Sequence, residues 1–311
     1  MSAVNILLAA YNGEKYIRAQ IDSILAQTFR DFRVIIRDDG SSDDTPRIIR
    51  EYQVKYPEFV RVVEDDVTCK SPTRNFFQLL KNTDSDCEYV MFSDQDDYWF
   101  ANKIEISVSE LRKLEAEFGK STPILVFAAS QAVDENLQPI NNNPVRNIPE
   151  KFLRVNKLLV ENCGVGGCVL MCNRSLFRNI GEFDERIMIH DWWFAIYASA
   201  CGVIRYIPEK LMFYRQHANN EFGSVNLRGF RYRLKRFFAR GNIAKTLRDY
   251  LEQAKLFRER YFDRIRPENL RIIDEFINLH KSCKPVRICR LLRGGFLKQD
   301  WVRAIAQILY V

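Results

Sequence analysis

The first hundred residues alternate between strand-like and helix-like hydrophobic patterns, and this alternation restricts the fold more than any other property of the chain. Val4–Ala10 is an apolar run of the kind expected for a parallel strand covered on both faces. Tyr11-Asn12-Gly13 ends it, after which Ile17, Ile21, Ile24 and Leu25 recur at helical spacing. Residues 34–36 read as a second strand, followed by a polar turn over 38–44 and a helix with Pro46 in its first turn, where proline is tolerated. Residues 60–63 and 89–92 read as two more strands, separated by a helix near 75–80. The order β-α-β-α-β predicts an α/β fold with a mainly parallel sheet flanked by helices.

In open sheets of this type, ligands bind beyond the carboxyl ends of the strands. Polar residues collect at three such ends: Asn12 after the first strand, Asp38 and Asp39 after the second, and Ser93-Asp94-Gln95-Asp96-Asp97 after the fourth. The middle of the chain is more mixed, with strands expected over 124–129 and 167–172 and a helix from about His190. Past Gly223 the pattern becomes helices rich in Arg, Phe and Leu, so a boundary is expected near residue 224. No internal repeat or low-complexity tract interrupts the chain.

Charge follows the same division. Residues 228–311 hold 21 Lys and Arg against 8 Asp and Glu, a net +13, which leaves −6 for residues 1–227 within a total of +7. The chain is an acidic body with a basic tail. None of the eight cysteines forms a C-x-x-C pair, and most lie in apolar runs, so they read as small core residues. The N-terminus has no basic leader or cleavage site, and no window approaches the ~18 uncharged residues of a membrane span. The expectation is a cytoplasmic, reduced protein.

Asp94, Asp96 and Asp97 place three carboxylates within four residues. Such groups repel one another unless a cation or donors offset them, and Mg²⁺ or Mn²⁺, shared with substrate phosphates, is the natural partner. The plainer alternative is capping of the helix that begins near Asn102. The turn Asp38-Asp39-Gly40-Ser41-Ser42-Asp43-Asp44 is a capping loop by composition, but its place beyond a strand suits a nucleotide contact. In His190-Asp191-Trp192-Trp193, Asp191 is either a helix cap or a general base whose apolar surroundings raise its pKa. His217, at the end of an expected strand, suits a metal or phosphate.

These motifs in order, with Gln27-Thr28-Phe29 and Asn102-Lys103-Ile104-Glu105 between and after them, resemble family 2 glycosyltransferases of the GT-A fold over residues 4–222. Asp94-Gln95-Asp96-Asp97 and Tyr214-Arg215-Gln216-His217-x-x-Asn220 are similar to the branch with bacterial rhamnosyltransferases of cell-wall, O-antigen and capsule synthesis. The resemblance implies a GT-A domain over 1–223 with a basic helical C-terminal region over 224–311. It implies that Ala10, Tyr11, Asp38 and Asp39 meet the base and ribose of a nucleotide, with Lys70 and Arg74 where a basic residue meets it. Asp94 then lies near the ribose, Asp96 binds a divalent cation (Mg²⁺ or Mn²⁺) and His217 completes that site. Asp191 takes the place of the catalytic base, although family members carry Glu-Asp where this chain has His190-Asp191.

The implied reaction is inverting, metal-dependent transfer of a sugar from a nucleotide diphosphate donor to an acceptor hydroxyl. L-rhamnose from dTDP-L-rhamnose is the first expectation and a UDP-hexose the alternative. A different class, a non-catalytic nucleotide-sugar or nucleic-acid binding protein, lacks support because Asp94, Asp96 and Asp191 occur together and no nucleic-acid-binding motif is found. The acceptor would be a saccharide, lipid-linked through a polyprenyl diphosphate. Residues 227–242 interleave Phe230, Leu234, Phe237 and Phe238 with basic residues, and 284–311 carry Arg287, Arg290, Arg293 and Trp301. Both stretches read either as helices packed on the body or as surfaces for anionic lipid, which would narrow the cytoplasmic expectation to the inner face of the membrane. Loops at 162–167 and 141–146 would shape the pocket.

Overall fold

Strands β1 (Val4–Ala10), β2 (Phe32–Asp38) and β3 (Val60–Val62) pair in parallel, and β4 (Tyr89–Ser93) joins the other side of β1, also in parallel. Every residue of β4 is buried, as is nearly all of β1, which explains their solid apolar patterns. Helices α1 (Ile17–Leu25), α2 (Thr45–Lys55) and α3 (Pro72–Lys81) connect them. Both Pro46 and Pro72 fall in first turns, where no intrahelical hydrogen bond is lost. The computed structural model describes residues 2–140, 145, 148–217 and 240–310.

The later elements convert the sheet from parallel to mixed. They are β5 (Tyr98–Trp99), α4 (Lys103–Phe118), β6 (Ile124–Val133), α5 (Val155–Leu158), β7 (Leu170–Asn173), α6 (Arg174–Phe177), α7 (His190–Cys201) and β8 (Val203–Arg215). The eight strands lie in the order β3-β2-β1-β4-β7-β6-β8-β5, with β7 antiparallel to both its neighbours. The strand expected over 167–172 begins only at Leu170, because residues 167–169 form a 3₁₀ turn. In β8 the pairing jumps from Ala128–Ile207 to Ala129–Lys210, so Pro208 falls in an irregularity where its missing N–H costs no ladder bond.

Register brings the polar strand ends together. Ala10 lies beside Asp38, and Leu8 beside Ser93, so the loops after β1, β2 and β4 leave one edge of the sheet side by side.

Residues 190–200 of α7 are all buried, as befits a helix that is apolar on every side. Its far side is covered by the C-terminal helices α8 (Arg240–Tyr261) and α9 (Pro267–Ile277), and α10 (Lys284–Arg293) and α11 (Trp301–Tyr310) follow them. Trp193 packs on Phe257 at 5.3 Å and donates from Nε1 to the Tyr261 hydroxyl at 3.2 Å; Trp192 meets Tyr250 edge-on at 5.1 Å. The buried Gln253 accepts from the Met188 amide at 2.9 Å. One apolar core therefore runs from β1 to Phe296. The boundary expected near 224, and residues 227–239 of the aromatic basic stretch, lie outside the described residues.

Candidate active site

The turn after β2 is organised by its own carboxylates. Asp38 accepts from the Gly40 and Ser41 amides at 3.1 and 2.9 Å, closing the turn. Asp39 accepts from the Cys69 and Lys70 amides at 2.6 and 2.7 Å and from Arg37 Nη1 at 3.0 Å. The Asp39 amide in turn donates to the Ala10 carbonyl at 2.9 Å. Ala10, Asp38, Asp39 and Lys70 are thus brought together, with Lys70 held in a left-handed conformation at φ 53°. Asp39 is buried, and its two oxygens bind the loop at 65–70.

Tyr11 stands exposed at the end of β1, and its backbone is clasped by Gln95, which donates from Nε2 to the Tyr11 carbonyl at 2.7 Å and accepts from its amide at 2.8 Å. Arg74 points elsewhere: it pairs with Glu185 at 2.9 Å and lies over the ring of Phe183.

The carboxylates after β4 separate into two environments. Asp96 meets His217 through Oδ2 and Nε2 at 2.9 Å, and both side chains are largely buried. Tyr16 stacks on the His217 ring at 4.7 Å and lies under the Arg215 guanidinium, while Arg215 Nε donates to the Asp96 carbonyl at 2.8 Å. Burial pushes the Asp96 carboxyl up, and His217 acts against that shift. Asp97 is wholly buried and pushed well up, by burial first and then by Asp94 and Asp96. Asp94, Asp97 and Cys168 offer ligand atoms within 4.8 Å of one another. Beneath this knot the buried ammonium of Lys103 lies 3.6 Å from the centre of the Trp99 ring, and burial pushes its pKa down to about 7. None of these acids caps α4, whose N-terminal flanking residue is Asn102.

The two groups differ as cation sites. The carboxylate oxygen of Asp96 suits Mn²⁺ or Mg²⁺, and the imidazole nitrogen of His217 beside it is a donor better suited to Mn²⁺ than to Mg²⁺. The other group includes the Cys168 thiol, which burial pushes well up and so holds protonated, a poor ligand for a hard cation.

Asp191 is the second residue of α7, inside its first turn rather than at the cap position, which is held by Ile189. Its Oδ2 accepts from the Gly167 amide at 2.9 Å and its Oδ1 from Asn162 Nδ2 at 3.2 Å. Burial raises its pKa to about 7, against the three donors Gly167 N, Trp192 N and Asn162. Its neighbour His190 is wedged between Phe76 and Phe92, at ring distances of 4.2 and 5.1 Å, and burial lowers its pKa to about 3, so it is neutral. A buried carboxyl that titrates near neutrality can take a proton from a hydroxyl.

Several of these partners were not singled out from the sequence. Gln95, Tyr16 and Arg37 act through contacts between distant segments, which no local spacing reports. The glycine-rich stretch at 162–167 reads as a turn, and its two donors to Asp191 become visible only when α7 is in place.

The model of glycosyl transferase family 2 matches residues 5–181. Among curated relatives, the dTDP-rhamnosyl transferase RfbG of Shigella flexneri is 28% identical over 228 residues, covering 70% of this chain and 74% of that one. An uncharacterized glycosyltransferase of Rickettsia typhi is also 28% identical, over 61% of this chain and 57% of its own length. Among solved structures, S. aureus TarS 1-349 in complex with UDP-GlcNAc superposes with a TM-score of 0.57 at 15% identity, over 99% of this chain and 90% of that one. The mannosyltransferase PcManGT of Pyrobaculum calidifontis, in complex with GDP-Man and Mn²⁺, gives 0.57 at 17% identity over 97% and 78%. These likenesses show the GT-A fold: a mixed, mainly parallel sheet flanked by helices, with C-terminal helices.

Proposed function

The chain belongs to glycosyl transferase family 2, and from that premise we propose that it is an inverting enzyme that moves L-rhamnose from dTDP-L-rhamnose to a hydroxyl of a polyprenyl-linked saccharide. The observation that carries the reading is Asp191: a buried carboxyl with a pKa raised to about 7, reached by donors from Asn162 and Gly167, the latter next to Cys168, which lies beside Asp94 and Asp97 at the end of β4. A likeness to RfbG supports the rhamnosyl donor. A UDP-hexose donor is the competing identity.

In this reading Ala10, Tyr11, Asp38 and Asp39 frame the base and ribose, Asp94 stands near the ribose, and Lys70 and Arg74 supply positive charge. Asp39 frames the nucleotide indirectly, since its oxygens hold the Cys69 and Lys70 amides. Arg74 would first have to leave Glu185. Asp96 and His217 would hold a divalent cation, which when bound offsets the charge of the leaving diphosphate. Asp191 takes the proton of the acceptor hydroxyl as that oxygen bonds to the anomeric carbon, on the face opposite the breaking bond to phosphate, and the configuration inverts. In the proposed assignment residues 1–223 carry this machinery, and the described C-terminal helices over 240–310 brace it.

The acceptor's lipid would place the enzyme at an anionic membrane surface, on the cytoplasmic side. No helix among the described residues is long and apolar enough to cross a membrane. What supports a surface association is the exposed apolar side of α11, with Trp301, Ile305 and Leu309 at successive turns, next to the basic α10.

Calorimetric titration with dTDP-, UDP- and GDP-sugars, each with and without Mn²⁺, tests the donor. Preferential binding of dTDP-L-rhamnose is expected; preference for a UDP-sugar selects the competing donor, and no binding in any arm removes the proposed reaction.

A further inference from the structure

We propose that the segment 161–167, clamped from outside by Gln299 and Arg303, is the positioning element of the base, and that Asn162 and Gly167 are the residues that aim the Asp191 carboxylate. The inference rests on the reading of Asp191 as the base, and it assigns work to a loop and to C-terminal residues that the reaction itself does not touch.

Besides the Trp192 amide of its own helix, Asp191 is reached by two donors from opposite ends of one short loop: Asn162 Nδ2 to Oδ1 and the Gly167 amide to Oδ2. The loop is folded back on itself by two left-handed residues, Cys163 at φ 58° and Gly164 at φ 90°. Asn162 pins the fold by donating also to the Val165 carbonyl at 2.6 Å. At the other end, a Cβ on Gly167 would come within 2.5 Å of His190 Nε2. His190 has no room to yield, because Phe76 and Phe92 hold its ring. The Gly167 amide can therefore reach Asp191 only if the residue lacks a side chain.

The loop is anchored from the C-terminal region. Glu161 accepts from the Gln299 amide at 3.0 Å and forms an ion pair with Arg303. Just before it, Asn156 Nδ2 donates to the Gly294 carbonyl at 2.9 Å and Lys157 Nζ to the Leu297 carbonyl at 3.1 Å. Residues 294–303 thus grip 156–161, and the grip ends one residue before Asn162.

The physical need is plain. Burial favours the protonated form of a carboxyl, whereas donors to its oxygens favour the ionised form, and a base requires the second without losing the first. The groups that face Asp191 are Gly167 N, Trp192 N and Asn162, with the neutral His190 beside it on the same helix. Since none of these carries charge, the donors alone oppose desolvation.

The test is ¹³C NMR of the full-length protein with labelled aspartate carboxyls, the Asp191 resonance being identified by its loss in Asp191→Asn. Asn162→Ala is expected to move the Asp191 midpoint upward by about one pH unit, the effect of losing one hydrogen bond to a charged group. Asn162→Ser, which keeps a donor, is expected to move it less, and Asn162→Asp, which adds a like charge, to move it further than Ala. Arg303→Met, at a half-exposed side chain whose loss spares the core, is expected to shift the midpoint in the same direction by a smaller amount. Midpoints in Asn162→Ala and Arg303→Met that coincide with the wild-type value overturn the proposal; should the Asn162 variants not fold, Arg303→Met decides alone. Turnover separates this from the base reading: an inactive Asp191→Asn together with unmoved midpoints removes the positioning element and leaves the base, while an active Asp191→Asn removes the base.

Discussion

The guanidinium of Arg37 donates to the Asp39 carboxylate at 3.0 Å, and both side chains are buried at the carboxyl end of β2. Arg37 also forks onto Asp65 at 2.7 and 2.9 Å and donates to Asn75 at 2.8 Å, tying β2, the loop at 65–70 and α3 into one network. Removing one partner of a buried pair leaves an uncompensated charge, at a cost of about 3–5 kcal/mol. Arg37→Met is expected to lose that much stability in urea unfolding and to weaken nucleotide binding, because Lys70 is seated through Asp39. Unchanged stability would mean that Asp39 and Asp65 are held without Arg37.

Asp191 sets two pH dependences of opposite benefit. In its proposed role as base it works only when ionised, so kcat/KM is expected to fall as pH drops through about 7. Its folded pKa of about 7 exceeds the ordinary 3.8, so between these values the native state binds more protons than the unfolded state and stability falls as pH rises. Asp191→Asn is therefore expected to lower kcat by orders of magnitude, leave nucleotide affinity nearly unchanged, and raise stability at pH 8 by up to about 4 kcal/mol but not at pH 3 to 4. Thermal unfolding of the two proteins across that range gives the comparison; a gap that does not widen with pH would contradict the buried ionised state.

Asp96 and His217 should act on the cation rather than on the nucleotide. The expected result for Asp96→Asn and His217→Ala is loss of the gain in donor affinity produced by Mn²⁺, with metal-free affinity kept. Calorimetry with the same dTDP-sugar in Mn²⁺ and in EDTA measures both quantities. Variants that retain the full Mn²⁺ gain would move the cation away from this pair.

How far these features could be read from the sequence depends on how local their causes are. The strands β1, β2 and β4 and the helices between them follow from apolar periodicity, since burial on both faces or on one stripe leaves a direct trace. The polar residues at three strand ends were legible for the same reason. The start of β7 was not, because the turn at 167–169 answers to Asp191 and His190, which lie more than twenty residues further along the chain. Arg74 shows the other limit: the resemblance implies a contact with the nucleotide, and its pairing with the exposed Glu185, 111 residues further along the chain, leaves no trace in the local sequence. The basic character of the C-terminal region was evident, but its grip on Glu161 depends on which faces of α8 to α11 meet the body.

The outer side of those helices carries the remaining prediction. Trp301 is 68% exposed, and Ile305 and Leu309 continue its stripe along α11. Lys284 of α10 donates from Nζ to the Leu309 carbonyl at 2.7 Å, which sets the two helices together and places exposed Arg290 and Arg293 beside exposed Val286 and Leu292. Residues 281–311 hold seven Lys and Arg against one Asp. Aromatic and aliphatic side chains beside cations suit the headgroup layer of an anionic bilayer. The double substitution Trp301→Ser, Ile305→Ser is expected to weaken sedimentation with phosphatidylserine-containing vesicles by at least about tenfold, from the lost apolar burial. Thermal stability should change little, because Trp301 is 68% and Ile305 44% exposed and neither belongs to the buried core. Raising the salt should weaken binding of the wild-type protein, since surface charges are then screened. Equal sedimentation of the variant, or equal binding to vesicles of phosphatidylcholine alone, would remove this face as the membrane contact.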